Sequence, residues 1–160
     1  MIKKLFDWSE KLPFSNSIQR FLFNQYPAYR RSGGYISFLS KDWKEIHVRL
    51  PLNRKTINYM GAVFGGSIYA SVDPIFAMQL IRNLGDTYVV WDKAAHIRFL
   101  KPIRRTVQAK FIITDELLEE IKNKVAEKQK YDVELSLTLE DAEGKVYAEV
   151  LKTIYIAKKI

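Results

Sequence analysis

Apolar side chains fill almost every position from Ile68 to Ile81, and the only carboxylate among them is Asp73. A helix that is apolar on all sides needs cover on all sides, so this segment reads as a buried central helix. Gly65 and Gly66 lie just before it, and Gly85 stands where a helix commonly ends on glycine. Pro74 falls inside the run and lacks the N–H that would bond the carbonyl of Ala70, so a kink is expected beside Asp73. The paired glycines and the Asp-Pro step also distinguish the segment from a membrane span.

Elsewhere the pattern changes to a period of two. Ile46, Val48 and Leu50 alternate with His47 and Arg49, which gives a strand with one buried face, and residues 35–39 form its partner across a turn at Lys41-Asp42. Four further strands are expected over 88–100, 107–113, 131–140 and 146–157, all rich in β-branched and aromatic residues. Asp141 to Gly144 makes a hairpin-like turn between the last two. Between the second and third of these four, Leu117, Leu118, Ile121 and Val125 share one face of a surface helix over 115–128, with Glu120 and Lys124 four apart on another.

The first 31 residues show helix-like spacing, from Ile2, Leu5, Phe6 and Leu12 to Ile18, Phe21, Leu22 and Tyr26. Pro13 divides them, Pro27 closes them, and Ser15 or Asn16 can cap the second of two short helices. This aromatic, basic start suits a membrane surface or the body of the domain, and packing on the body is the expectation.

These elements predict an α+β domain in which an antiparallel sheet curls round one long helix. A single sheet covers only part of an all-apolar helix, so a partner subunit is expected to complete the cover. At 160 residues the chain is expected to be one domain, 1–160, with a helical extension over 1–31 and a core over 32–160. It has no cysteine, which excludes disulfides, thiolate metal sites and a thiol nucleophile. Asp7, Ser9, Glu10 and Lys11 interrupt any secretory apolar stretch, so a cytoplasmic protein is expected. The net charge of +8 attracts anionic partners, yet no RNA-binding aromatic motif, zinc-finger spacing or helix-turn-helix signature accompanies it, so nucleic acid is not an expected partner.

The candidate chemistry gathers around the glycines. A helix that starts beside Gly65 and Gly66 points unbonded N–H groups at whatever approaches, which suits a developing oxyanion. The alternative is close packing of loop on helix. Asp73, among Ile68, Val72, Ile75, Phe76 and Met78, would be partly desolvated, as suits a general base. Asp-Pro is equally a helix start, with Asp73 as N-cap. Asn58 is expected to brace the loop by side-chain hydrogen bonds and to touch substrate. Arg98, Lys101, Arg104 and Arg105 cluster at a strand end, where they can meet phosphates or keep the sheet edge solvated. His96 and His47 lie in strands without ligand spacing, so no metal is expected. Ser67 has no nucleophile elbow.

The order Asn58, Gly61, Gly65-Gly66, Asp73 resembles the hot-dog thioesterase superfamily, close to the phenylacetyl-CoA thioesterase-like group. That group reads Asn-x-x-Gly-x-x-His-Gly-Gly with an Asp nine residues after the His; here Phe64 stands in the His position. The stretch from Tyr88 to Pro102 is similar to an uncharacterised branch known mainly as a domain of unknown function, and the resemblance spans roughly residues 36 to 157. It implies a hot-dog fold that pairs as a homodimer or higher oligomer and hydrolyses acyl-CoA or a related thioester. CoA is then part of the substrate, and no other cofactor is implied. By the same resemblance Asp73 is base or nucleophile on a thioester held by the neighbouring subunit, and Gly65 N–H polarises its carbonyl. Asn58, Phe64, Gly66, Arg98 and Lys101 are the candidate substrate contacts. Phe64 cannot donate a hydrogen bond as His would, which also admits a non-catalytic acyl-CoA or lipid-binding protein.

Overall fold

The computed structural model describes residues 15–159; the first predicted helix, with Ile2, Leu5, Phe6 and Leu12, lies outside them. The elements run α1 (Ser15–Gln25), α2 (Pro27–Arg30), β1 (Tyr35–Leu39), β2 (Glu45–Leu50), α3 (Gly65–Val72) and α4 (Ile75–Leu84). There follow β3 (Tyr88–Phe99), β4 (Val107–Ile112), α5 (Asp115–Lys128), β5 (Lys130–Glu140) and β6 (Val146–Lys158). As expected, the helix before Pro27 stops short of it, at Gln25; Pro27 then opens α2 at a first-turn position, where its missing N–H costs nothing.

One six-stranded sheet, ordered β1-β2-β4-β5-β6-β3, is antiparallel throughout. Its buried face carries Ile46, Val48 and Leu50 from β2, Ala109 and Phe111 from β4, and Val150, Ile154 and Ile156 from β6. Against it lie Val72, Ile75, Phe76 and Leu80 of the central helix, with the Phe76 and Phe111 rings edge to face at 4.8 Å. The result is the expected hot-dog architecture, a curved antiparallel sheet wrapped around a central helix. α5 is capped by the Thr114 side chain, which accepts from Leu117 N–H, and it buries Leu118, Ile121 and Val125.

The central helix is two segments. Pro74 cannot donate to Ala70, so α3 closes at Asp73 and α4 begins at Pro74, the position a capping residue would hold. No side chain caps α4, so Asp73 does not serve as the N-cap that an Asp-Pro step suggests. Gly85, at φ +82°, ends α4 and donates its N–H to Ile81 O in a conformation few other residues adopt.

The two edges of the sheet differ. Along β1, Asn24 donates to Ile36 O and accepts from Ile36 N–H, Arg20 donates to Ser37 O, and Asn16 donates to Leu39 O. Side chains of α1 thus satisfy the edge of β1. β3 has β6 on one side and, among the described residues, no strand on the other.

Candidate active site

The loop before α3 is held by a chain of hydrogen bonds. Asn58 Oδ1 accepts from Met60 N–H and Ala62 N–H, at 2.9 and 3.1 Å, and Asn58 N–H donates to Ala62 O. Val63 N–H reaches Ile103 O, and Phe64 N–H reaches Thr56 O. The side-chain oxygen of Asn58 is therefore committed to bracing. Ser67 and Ile68 donate to Phe64 O, whereas Gly65 N–H and Gly66 N–H, in the first turn of α3, have no backbone acceptor among the described residues.

Two phenyl rings frame these amides. A Cβ on Gly66 would lie 2.4 Å from Phe64 Cε1, so Phe64 covers Gly66 as closely as glycine permits. A Cβ on Gly65 would lie 3.4 Å from Phe99 Cζ. Gly65, Asn58, Phe99, Lys101 and Arg104 line a cleft of about 440 Å³. The structure thus brings Gly65, Asn58 and Lys101 together, with Gly66 and Phe64 beside them. It separates Arg98, which faces the other side of the sheet, donates to Glu149 at 2.9 Å, and borders a groove with His96 and Lys110.

Asp73 lies at the other end of α3 and lines a second cavity of about 440 Å³, whose apolar wall includes Phe23, Tyr29, Ala70 and Met78. Its side chain is 38% exposed. The sequence pattern led us to expect apolar surroundings, yet a cation is present. Lys152 Nζ, fully buried, lies 2.5 Å from Asp73 Oδ1 and 2.8 Å from Asp92 Oδ1. It also sits 5.2 Å from the centroid of the Tyr69 ring. Burial alone would lower the Lys152 pKa, but the two carboxylates outweigh it and hold the ammonium above the ordinary lysine value. Burial pushes the Asp92 carboxyl up against the pull of Lys152, and burial, then the neighbouring Asp73 carboxylate, raises the Tyr69 phenol.

Lys152, Asp92 and Tyr69 were not among the expected site residues. Lys152 had a visible signal, because it falls in phase with Val150, Ile154 and Ile156 on the apolar face of its strand. Asp92 had a weaker one, since a bulge between Asp92 and Ala94 decides which way the rest of β3 faces.

His47 Nε2 lies 2.7 Å from Glu45 Oε1, and His96 is exposed, neither near Asp73. Among the described residues no group of three His, Asp or Glu side chains is placed to hold a metal ion. No helix among them is long and apolar enough to cross a membrane.

A family model described as a domain of unknown function (DUF4442) matches residues 15–156. The chain belongs to this family. Solved structures similar to this DUF4442 chain include a protein of unknown function from Pseudomonas aeruginosa described as a probable thioesterase. It is 20% identical, with 92% of this chain and 97% of that one covered and a TM-score of 0.78. A protein of unknown function from Chlorobaculum tepidum is 14% identical over 98% of this chain and 96% of that one, with a TM-score of 0.69. A thioesterase from Haemophilus influenzae is 16% identical over 92% and 94%, with a TM-score of 0.64. At these identities the likeness establishes the hot-dog fold for the DUF4442 chain. No curated protein matches its sequence.

Proposed function

We propose that this protein hydrolyses acyl-CoA or a related acyl thioester in a site shared by two copies of the chain. The observation that carries the reading is that α3 has open amides at its first turn and a carboxylate, backed by a buried cation, just past its last. Gly65 N–H polarises the thioester carbonyl, and Asp73 takes a proton from the attacking water. The water oxygen bonds to the carbonyl carbon, the C–S bond breaks, and the leaving thiolate regains that proton, giving a carboxylic acid and a thiol.

One chain cannot perform this reaction alone. Gly65 and Asp73 are eight residues apart along a helix, about 12 Å at 1.5 Å per residue, whereas donor and base must both lie within about 3 Å of the reacting group. A second copy resolves the distance, and the open edge of β3 is where it joins, because α1 already satisfies the edge of β1. Exposed Trp91 on β3 and Phe99 at its end enlarge the surface for that pairing. The apolar cavity beside Asp73 takes the acyl group, and Lys101 and Arg104 meet CoA phosphates. The thioesterases among the structural relatives support the reaction class.

A second reading, acyl-CoA binding without turnover, rests on Phe64, which supplies no side-chain donor where the related motif has His.

Subunit complementation tests the proposal. Gly65→Pro removes the donor at a helix position that accepts proline, after a residue whose φ −63° and ψ 131° already suit it. It is expected to lower kcat by about 100- to 1,000-fold with the fold retained. Asp73→Asn is expected to be inactive. Mixed in equal amounts after unfolding and refolding, the two variants form hybrid dimers with one intact site each, restoring about a quarter of wild-type activity. Full activity in Asp73→Asn, or a mixture as inactive as its parents, overturns the shared site. Wild-type affinity for acyl-CoA with no cleavage across a panel of acyl lengths selects the binding reading.

A further inference from the structure

From Ala148 on, β6 alternates with a period of two, and among its buried positions Ala148, Val150, Lys152, Ile154 and Ile156 the one charged residue is Lys152. Asp92 reaches it because it pairs with Ile154, two positions from Lys152 on the same buried face of β6, in phase with Val90 and just before the bulge at Lys93. Well-packed apolar residues in place of a buried ion pair are often as stable or more so, so stability by itself gives no reason for a lysine here. The geometry gives one: the carboxylate that lines the apolar cavity is the one this ammonium holds.

We propose that Lys152 is a positioning residue for the hydrolysis, holding Asp73 in one orientation at the cavity wall while Asp92 anchors the ammonium from the other side. The inference rests on the thioester-hydrolysis reading. One cation between two carboxylates leaves the cluster with one surplus negative charge, and a proton arriving on Asp73 neutralises it. Lys152 keeps its bond to Asp92 throughout, so the ammonium is never buried without a counter-charge. Among the described residues, Tyr69 from α3 lies beside the ammonium, and Tyr29 from α2, whose hydroxyl donates to Ser71 O, and Tyr26 line the cavity with Asp73. Burial raises the Tyr29 phenol, which keeps it neutral in the working pH range.

The test compares wild type, Lys152→Met and Lys152→Met/Asp92→Asn by kcat and KM across about pH 5 to 9. Removing the cation from between two acids is expected to move the acid limb of the kcat/KM profile up, since like charges at this range resist joint ionisation. kcat is expected to fall roughly tenfold or more through lost orientation, with KM changed less than about threefold. The double variant removes the repulsion. Its acid limb is expected to return toward wild type while kcat stays low, and it decides alone if the single variant does not fold. Wild-type kcat in the folded double variant overturns the proposal, as does a loss in Lys152→Met that is uniform in pH. A wild type that cleaves no thioester removes the hydrolysis reading and this role with it, whereas an active wild type with unaffected variants removes only the role of Lys152.

Discussion

Lys152 and Asp73 meet inside the fold at 2.5 Å, one from the last strand of the sheet and the other from the break in the central helix. The ammonium is fully buried, whereas Asp73 is 38% and Asp92 30% exposed, so water shares the carboxylate side of the cluster.

Truncating this lysine therefore has two costs of different origin. Lys152→Ala leaves a cavity and two acids without their cation, and is expected to lower unfolding stability by about 3 kcal/mol, the low end for a broken buried pair because both acids are partly hydrated. Lys152→Met keeps most of the volume but leaves the same two acids without their cation, and is expected to lose most of that amount, the difference being the cavity. Urea unfolding of the three proteins at one pH measures both values.

Alkaline pH probes the same group. The folded state holds the Lys152 proton more tightly than the unfolded chain does, so its stabilising contribution is complete below the ordinary lysine pKa of 10.5 and is lost as pH rises through the higher folded value. Buried Tyr29, also raised, contributes an alkaline loss of its own. Melting temperatures of wild type and Lys152→Met are therefore expected to converge above about pH 10.5, because the Tyr29 effect is common to both. A constant gap over that range would assign the stability difference to packing alone.

Acid pH probes the hairpin between β5 and β6. Asp141 accepts from Glu143 N–H, Lys145 N–H and the Tyr147 hydroxyl, and Arg105 lies 3.3 Å away. Burial would raise this carboxyl, but the hydrogen bonds and Arg105 outweigh it and hold it below the ordinary 3.8. Its contribution is complete above that value and is lost as pH falls through the lower folded one. Asp141→Asn is expected to be less stable than wild type at neutral pH, with a gap that narrows below about pH 3.8, read from melting temperatures across the range.

Gly66→Ala separates fold from site. The added methyl collides with the far end of the Phe64 ring, an exposed side chain free to swing aside, so stability is expected to change by less than about 1 kcal/mol. The ring leaves its place beside the open amides, and KM for an acyl-CoA is expected to rise. Phe64→Ala/Gly66→Ala, which has no ring to displace, is expected to show no further rise over Phe64→Ala alone.

Most elements were legible because their signals are local. Ile46, Val48 and Leu50 marked β2, the face of Leu118, Ile121 and Val125 marked α5, and Pro74 marked the helix break from its missing donor alone. Asn58, two and four residues from the amides it braces, was legible for the same reason. Pro27 closes α1 and also opens α2, because a proline that cannot continue one helix is well suited to begin another. Arg98 and Lys101, neighbours in the chain, were read as one basic cluster. Strand alternation and Glu149 turn Arg98 to the outer face, while the chain beyond β3 carries Lys101 to the cleft at Gly65.

The amino-acid pattern by itself determined a buried helix holding one acid, a sheet to wrap it and a glycine-rich entry with open amides, since each follows from period, turn chemistry and backbone donors within a few residues. Only the tertiary structure decided that Asp73 would face a cation, because its partner lies 79 residues away. That meeting depends on the register of β6, where a slip of one residue would turn Lys152 to the outer face. The choice of the free edge was tertiary as well: three side chains of α1 fold back onto β1, and β3 is left open.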